Sequence, residues 1–280
     1  MITAPGSKPS PAPGTTGSRG TARRIIALGR AEAALLRRNP SALGSALVAP
    51  ILLVLVPFSN APAPGEQGSF DRGSLVVTGL ATFTLILGIY YNLVPALVAR
   101  RNEYVLKRLR TGEVSDGEII AGTAAPAVAI AWTQIAIGVI AAASFLHMQA
   151  PTNPALAVVA VLLGTAVCIL LAAAMTALTS TVEMAQLTAA PALIISMIFS
   201  GVMFPLDQLP EAAQRVAEGL PLAAVVALVR LGLTGTTSAE GTVDFAGSFD
   251  PAIVPILVLG AWVALGTWAV RRWFRWEPRH

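Results

Sequence analysis

Six long apolar segments, separated by short polar stretches, dominate this chain. They are Ala42–Phe58, Leu75–Val98, Ile119–Leu146, Leu156–Thr179, Leu187–Phe204 and Ile253–Val270. A helix needs about 20 apolar residues to cross a bilayer, and each segment approaches or exceeds that length. The pattern therefore predicts an all-α membrane protein with six transmembrane helices. A further apolar run, Leu222–Leu233, is too short to cross and contains Arg230.

The composition supports the same class. Hydrophobic residues make up 55% of the chain and charged residues only 12%, whereas a soluble domain carries about 25% charged residues. The net charge of +4 does not indicate nucleic-acid binding, because the basic residues flank the apolar segments and form no separate basic face. We therefore expect membrane lipid, and no nucleic acid, among its partners.

Basic residues predict the orientation. If six helices cross the membrane, 16 of the 19 Lys and Arg residues fall on one side, and only Arg72, Arg215 and Arg230 fall on the other. The side that is rich in Lys and Arg is normally cytoplasmic. We therefore expect both termini in the cytoplasm. An odd number of spans would place the N-terminal and C-terminal basic clusters on opposite faces.

The chain is predicted to contain one membrane domain, residues 21–276. Residues 1–20 are rich in Pro, Gly, Ser and Thr and are predicted to form a disordered cytoplasmic tail, and residues 277–280 a short cytoplasmic one. Between tail and first span, Arg23, Arg30 and Arg37 recur every seven residues, and Leu35 lies on the opposite side with other apolar residues. Such a pattern predicts an amphipathic helix along the cytoplasmic interface.

Several kinds of catalytic site are excluded by the residues available. A phosphate-binding loop ends in Gly-Lys-Ser or Gly-Lys-Thr, but Lys8 follows Ser7 and Lys107 follows Leu106. With two histidines far apart in sequence and one cysteine, a zinc site is not expected. We therefore predict neither an enzyme nor a bound cofactor in this chain.

A few polar side chains lie within the predicted spans. Tyr90, Tyr91 and Asn92 fall in the cytoplasmic half of the second span, and Gln134 lies deep in the third. The first three could line a substrate pathway or form an interfacial belt. Gln134 could line the pathway or form a hydrogen bond between helices. These alternatives stay open, and no set of carboxylates or histidines forms a proton relay.

The strongest charge cluster lies between the second and third spans. Read as a helix, residues 100–110 place Leu106 and Leu109 on one side, and Glu103 lies four residues before Lys107 in the favourable order for an ion pair. Ser115 and Glu118 have the spacing of a capping box at the start of the next helix. We therefore predict an ordered helix–turn–helix, called the elbow below. Its candidate contact residues are Arg101, Glu103, Leu106, Lys107, Arg108, Leu109, Arg110, Ser115 and Glu118.

Prolines mark the segment after the fifth span. Pro205 and Pro210 precede a predicted short helix, Glu211–Glu218, with Pro210 expected at its first position and Gly219 just past its end. Pro221 opens the short apolar run that contains Arg230. The two elements predict a re-entrant helical hairpin in the outer leaflet between spans five and six, since non-helical backbone at that depth must be buried in protein.

These two polar segments resemble the ABC-2 type permease family, the membrane subunits of bacterial ABC exporters. The elbow matches at Leu106–Arg110, Val114–Ser115 and Glu118–Gly122, and departs from the usual residues at Tyr104, Val105 and Glu113. The outer segment matches more closely, at Ser200–Gly201, Phe204–Leu206, Leu209–Pro210, Leu220–Pro221 and Arg230. The order and spacing of the motifs give the resemblance its strength.

The resemblance implies half of a transporter in the bacterial inner membrane. Two membrane subunits, here expected to be a homodimer, would rest on a pair of separate ATPase subunits that bind ATP and Mg²⁺ and contact the elbow and the N-terminal helix. The expected function is export of a hydrophobic or amphipathic compound such as a drug, an antibiotic or a lipid-like molecule. Export of a polysaccharide or lipid-linked glycan is the alternative, and a secondary carrier or a membrane-embedded enzyme would fit less well.

Overall fold

The computed structural model describes residues 26, 27, 29, 30, 34, 44, 47–54, 72–102, 115–146, 148–203, 206, 209–236 and 241–274. This part of the chain is helical, with one isolated backbone bridge between Thr236 and Thr242. The helices with defined bounds are α1 (Arg72–Asn102), α2 (Asp116–Phe145), α3 (Pro154–Met175), α4 (Val182–Ile198), α5 (Glu211–Glu218), α6 (Pro221–Thr234) and α7 (Phe249–Trp273). Residues 47–54 are also helical.

Local sequence signals set several helix ends. Thr181 caps α4, because its hydroxyl accepts a hydrogen bond from the Met184 backbone N–H at 3.4 Å. Pro154 and Pro221 occupy the start of α3 and α6, where a missing N–H costs nothing. Gly235 ends α6 with φ +67°, a left-handed conformation that a residue with a Cβ atom rarely adopts.

Helix α1 is the centre of the bundle. Its side chains from Phe83 to Val98 are mostly buried, and its middle, Thr84–Tyr91, is a π-helix. The side-chain amide of Asn92 donates to the carbonyl oxygen of Leu87, five residues earlier, at 2.7 Å. Pro95 follows one turn later and cannot donate a backbone hydrogen bond. π-helical stretches are uncommon in helices, and those that occur are often found at functional sites.

Glycines allow α6 to lie directly against α3. A methyl group built on Gly232 would lie 2.7 Å from the backbone nitrogen of Ala157, and one on Gly164 would lie 2.8 Å from Val225 Cγ2. Ala157 is in the first turn of α3, and Gly164 is near its midpoint. The two contacts therefore make α6 antiparallel to α3. Small residues at such crossings let membrane helices approach closely.

The bundle has two ends, named here by their most buried polar residues. At the Arg101 end, α1 finishes, α2 begins, and the Thr176–Ser180 turn joins α3 to α4. At the Asn153 end, Asn153 Nδ2 donates to Ser248 Oγ at 2.9 Å and joins the starts of α3 and α7. Helices α3 and α7 therefore run in the same direction, and α1 runs from the Asn153 end to the Arg101 end.

The apolar pattern predicted most of the helices that could cross a membrane. Helices α1, α2, α3 and α7 are long and apolar enough. Helix α4 corresponds to the predicted fifth span but has only 17 residues, and of the predicted first span, Ala42–Phe58, residues 44 and 47–54 are described and helical. Six spans therefore remain a prediction. Helices α5 and α6 meet at an angle of 82°, as either a broken span or a re-entrant pair.

The outward faces of the peripheral helices are apolar. Exposed residues include Ile137 and Ile140 on α2, Leu187 on α4, and Val254 and Leu257 on α7. In water such faces would be a strong aggregation liability, whereas in a bilayer they contact lipid or another membrane helix. The all-α membrane fold expected from the sequence agrees with this surface.

Candidate functional site

Arg101 is fully buried at the end of α1. Its Nη1 donates to the Thr176 carbonyl oxygen at 2.7 Å, and its Nη2 donates to Thr179 at 2.5 Å and to Ser180 at 3.3 Å. These carbonyls belong to the C-terminal end of α3 and the turn after it, where backbone acceptors lack helical partners and the helix dipole favours a cation. Arg101 therefore ties the beginning of the elbow to the α3–α4 turn.

The sequence analysis predicts Arg101 among the contact residues of the elbow. Its complete burial shows a different local role, since a side chain inside the bundle presents no surface to another protein. The signal that could have separated it from Arg100 is weak, because both follow an apolar span and only the packing of α1 against the α3–α4 turn distinguishes them.

The predicted capping box at the start of α2 is confirmed. The Glu118 backbone N–H donates to Ser115 Oγ at 3.3 Å, and the Ser115 backbone N–H donates to Glu118 Oε2 at 2.8 Å. These reciprocal bonds satisfy two donors that a helix start leaves unpaired. The second half of the elbow therefore begins on a fixed helix, with Ser115 exposed and Glu118 buried.

The remaining elbow residues lie between these two anchors. Glu103, Leu106, Lys107, Arg108, Leu109 and Arg110 lie outside the described residues, so their helix stays a prediction. The described residues fix where this part of the elbow begins and ends. It follows Arg101 and Asn102 at the end of α1, and it enters α2 at Ser115.

The N-terminal helix contacts α2 near the elbow. Ile26, Ala27, Gly29, Arg30 and Ala34 are helical, and Arg30 is exposed. A methyl group built on Gly29 would lie 3.0 Å from Ala125 Cβ, so the helix packs against the first half of α2. Arg23, Leu35 and Arg37 lie outside the described residues, and the interfacial position of the helix stays a prediction.

The polar residues of the second span are arranged around the π-helix. Tyr90 is fully buried and its hydroxyl donates to the Ala189 carbonyl oxygen of α4 at 3.2 Å. Tyr91 is half-buried, and the amide of Asn92 is held within α1. In this arrangement Tyr90 joins two helices, whereas Tyr91 and Asn92 are half-buried and keep partial access to the surface of the bundle.

Gln134 forms the interhelical hydrogen bond that was one of its two predicted roles. Its Nε2 donates to the Leu47 carbonyl oxygen at 2.7 Å and so links α2 to helical residues 47–54. The Gln134 Oε1 atom is buried with no hydrogen-bond partner among the described residues. A second polar link, from Trp132 Nε1 to Thr165 Oγ1 at 3.2 Å, joins α2 to α3.

The proline-marked segment forms the predicted short helix. Helix α5 covers Glu211–Glu218, as the sequence indicated, although Pro210 is the residue before its first turn and not its first helical residue. Arg230 of α6 donates from Nη2 to the Gly201 carbonyl oxygen at 2.6 Å. This bond fixes the chain that leaves α4. Pro221 opens α6, and Pro205 lies outside the described residues.

Two further residues position this segment, and the sequence analysis did not single them out. Trp262 of α7 donates from Nε1 to the Gly219 carbonyl oxygen at 2.9 Å, at the bend between α5 and α6. At the other end of α6, the backbone N–H of Asn153 donates to the Gly232 carbonyl oxygen at 2.8 Å. A single Trp or Asn belongs to no sequence pattern that would predict such contacts.

Glu183 lies in the first turn of α4 and is exposed. Hydrogen bonds from its own backbone N–H and from Thr181 hold the pKa of its carboxyl below the usual value. A carboxylate at a helix N-terminus is electrostatically favourable. This position agrees with a helix-end carboxylate in contact with water, and it gives no support to a proton relay.

A family model for ABC-2 type transporters matches residues 23–233, a range that extends from the N-terminal helix to the end of α6 and covers well over half of the 280 residues. A search of curated proteins finds none that matches the chain significantly. The chain therefore belongs to the ABC-2 type transporter family.

Proposed function

We propose that this chain is the membrane subunit of an ATP-driven exporter, which pairs with a second copy of itself and is powered by separate ATPase subunits. Family membership supplies the coarser statement that the chain is a permease subunit of an ABC transporter, a multi-pass membrane protein. The strongest support for the proposal is the match over residues 23–233, because this single match includes the N-terminal helix, the elbow and the outer segment.

The charges of the described residues support a cytoplasmic Arg101 end. Arg100 and Arg101 finish α1, and Arg271 and Arg272 lie in the last turn of α7, whereas Arg72 begins α1 at the Asn153 end. Cytoplasmic ends of spans are enriched in Lys and Arg. We therefore place the elbow and both termini in the cytoplasm of a bacterial cell, with the chain in the inner membrane.

The elbow is the proposed contact with the ATPase. It is held at both ends, by the hydrogen bonds of Arg101 to the α3–α4 turn and by the Ser115–Glu118 capping box. Because of these anchors, a push on residues 103–110 would move α1, α2 and the α3–α4 turn together. ATP and Mg²⁺ would bind in the partner, since this chain has no phosphate-binding loop.

The proposed substrate is a hydrophobic or amphipathic compound, such as a drug, an antibiotic or a lipid-like molecule. The described parts of the connections at the Asn153 end, residues 148–153 and 241–248, are short and offer no large soluble receptor surface. A polysaccharide or lipid-linked glycan is the second candidate, and it would require a wider pathway between two copies. A secondary carrier is disfavoured because no acidic residue or histidine lies mid-way along α1, α2 or α3.

Co-purification with the ATPase subunit tests the proposal. The full chain, tagged and co-expressed with the candidate ATPase, should retain it, and Leu109→Asp or Arg108→Glu should reduce retention at least tenfold. Thr242→Glu, at the Asn153 end, is the matched control and should leave retention unchanged. Full retention by both elbow variants would contradict the docking role of the elbow, and the absence of any retained ATPase would contradict the proposed function itself.

A further inference from the structure

Helix α7 has an outward face that continues into its last turn. Leu257 and Trp268, three helical turns apart, are exposed on this face, whereas Leu259 is fully buried on the other side. Arg271 and Arg272 follow Trp268 by three and four residues, and side chains at these spacings share a helix face. Both arginines are exposed. They therefore extend the apolar outward face of α7 at its C-terminal end and do not enter the bundle.

The length of α7 places the two arginines at the edge of the hydrocarbon core. Residues 251–270, between Asp250 in the first turn and Arg271 in the last, carry no charge. At about 1.5 Å per residue these 20 positions cover about 30 Å, which is the thickness of the hydrocarbon core of a bilayer. When α7 crosses a membrane, Arg271 and Arg272 therefore lie at the level of the lipid phosphates.

No described protein group neutralises these charges. Arg101 and Arg230 donate to backbone carbonyl oxygens, but Arg271 and Arg272 take part in no hydrogen bond or ion pair with the part of the chain that the structure describes. The last turn of α7 also holds no carboxylate. The two guanidinium groups are therefore available to an anion outside the described chain.

Two tryptophans stand beside the arginines. The rings of Trp268 and Trp273 are half-exposed and pack edge to face, with their centroids 4.8 Å apart. Trp132 and Trp262 donate their indole N–H to protein acceptors, whereas Trp268 and Trp273 donate to no acceptor among the described residues. Tryptophan is enriched at the membrane interface, where its ring lies at the level of the headgroups. The end of α7 thus combines two cations with two additional hydrogen-bond donors.

We propose that this end of α7 binds the phosphodiester headgroup of an anionic phospholipid. A guanidinium group matches the oxygens of a phosphate with two parallel hydrogen bonds, and the acyl chains lie along the outward face that contains Leu257 and Leu265. This apolar continuation favours a lipid over a protein partner. The proposed ATPase contact is elsewhere, since the elbow joins α1 to α2 and α7 packs against α3 and α6.

The lipid site goes beyond the proposed function and does not require it, because it needs only that α7 crosses a bilayer. Native mass spectrometry of the full chain in a neutral detergent tests the site, with dissociation constants for phosphatidylglycerol and for phosphatidylcholine with the same acyl chains. The test variant is Arg271→Gln/Arg272→Gln. The matched control, Arg72→Gln/Arg215→Gln, removes the same two positive charges elsewhere, and Arg271→Lys/Arg272→Lys keeps the charges but loses the paired donors.

Because each basic side chain near an anionic membrane surface contributes about fivefold in affinity, we expect the unmodified chain to bind phosphatidylglycerol at least about tenfold more tightly than phosphatidylcholine. By the same reasoning the glutamine pair should lose about twentyfold in phosphatidylglycerol affinity, the lysine pair less, and the control less than about threefold. The unfolding midpoint without added lipid should be the same for the unmodified chain and the glutamine pair, since both arginines are exposed.

Equal losses in the glutamine pair and the control would overturn the site, because they would show attraction to net charge alone. Unchanged phosphatidylglycerol affinity in the glutamine pair would overturn it as well, and a simultaneous loss of ATPase retention would assign this face to the ATPase. The lipid measurement contains no ATPase, and ATPase retention needs no added lipid. Failure of the lipid site and failure of the proposed function therefore give different results.

Discussion

The guanidinium of Arg101 donates from Nη2 to the carbonyl oxygen of Thr179 at 2.5 Å, although 78 positions separate the two residues in the chain. The bond joins the last turn of α1 to the turn between α3 and α4. It places a full positive charge against the C-terminal end of α3, where the helix dipole is negative. The two connections at the Arg101 end are therefore one structural unit.

Replacing Arg101 should destabilise this unit strongly. Arg101→Met removes the charge and the guanidinium donors to the carbonyl oxygens of Thr176 and Thr179. The Thr176 oxygen keeps the Thr179 backbone N–H at 3.3 Å, but hydrogen bonds to charged groups contribute about 1.5–3 kcal/mol each. We expect the free energy of unfolding to fall by about 3 kcal/mol, which is measured as a lower thermal unfolding midpoint in detergent. Arg101→Lys should recover only part of it, because a single ammonium group cannot reach three carbonyls in the geometry of a guanidinium.

The matched control for Arg101 is Arg272→Met. Arg272 lies at the same end of the bundle but is exposed, and surface substitutions usually change stability by less than about 0.5 kcal/mol. An equal shift of the unfolding midpoint in the two variants would contradict the anchoring role of Arg101.

The capping box gives a second, smaller effect. Ser115→Ala removes the acceptor for the Glu118 backbone N–H, and loss of an N-cap typically costs about 1 kcal/mol. We expect a correspondingly lower unfolding midpoint, together with faster amide exchange in the first turn of α2 by mass spectrometry. Gly117→Ala is the control: nothing lies within 4 Å of its added methyl group, and alanine favours a helix over glycine by up to about 1 kcal/mol.

Trp262 should stabilise the bend between α5 and α6. Trp262→Phe keeps an aromatic ring but loses the Nε1 donor to the Gly219 carbonyl oxygen, a bond with a net contribution of about 1 kcal/mol. The expected result is faster amide exchange at Gly219–Leu222 with little change elsewhere. Trp268→Phe, on the exposed side of α7, should leave this exchange unchanged. Similar exchange in both variants would mean that the bend does not depend on Trp262.

Much of the fold could be predicted from local patterns. The long apolar runs identified α1, α2, α3 and α7, and proline and glycine signals bounded α5 at Glu211–Glu218. The spacing of Ser115 and Glu118 predicted the capping box. Each of these depends on residues a few positions apart, for which sequence order and spatial contact are nearly the same thing.

The parts that the sequence did not predict depend on tertiary contacts. The π-helix at Thr84–Tyr91 has no apolar period that distinguishes it, since nearly every residue there is apolar. Arg101 is one of several arginines after a span, and its burial depends on a turn far along the chain. The position of the bend between α5 and α6 depends on Trp262, which belongs to no motif.

The close crossing of α3 and α6 makes Gly232 sensitive to the smallest side chain. The methyl group of Gly232→Ala would lie 2.7 Å from the Ala157 backbone nitrogen and 2.9 Å from the Asn153 carbonyl oxygen, and backbone atoms cannot rotate away as a side chain can. The helices would have to separate, with loss of the Asn153 N–H bond to Gly232. We expect the free energy of unfolding to fall by at least about 2 kcal/mol, within the range for overpacking, and the yield of folded protein to be lower.

Gly260→Ala in α7, where nothing lies within 4 Å of the added methyl group, is the control and should be neutral or slightly stabilising. A Gly232→Ala protein as stable as Gly260→Ala would show that α6 does not lie this close to α3 in the membrane.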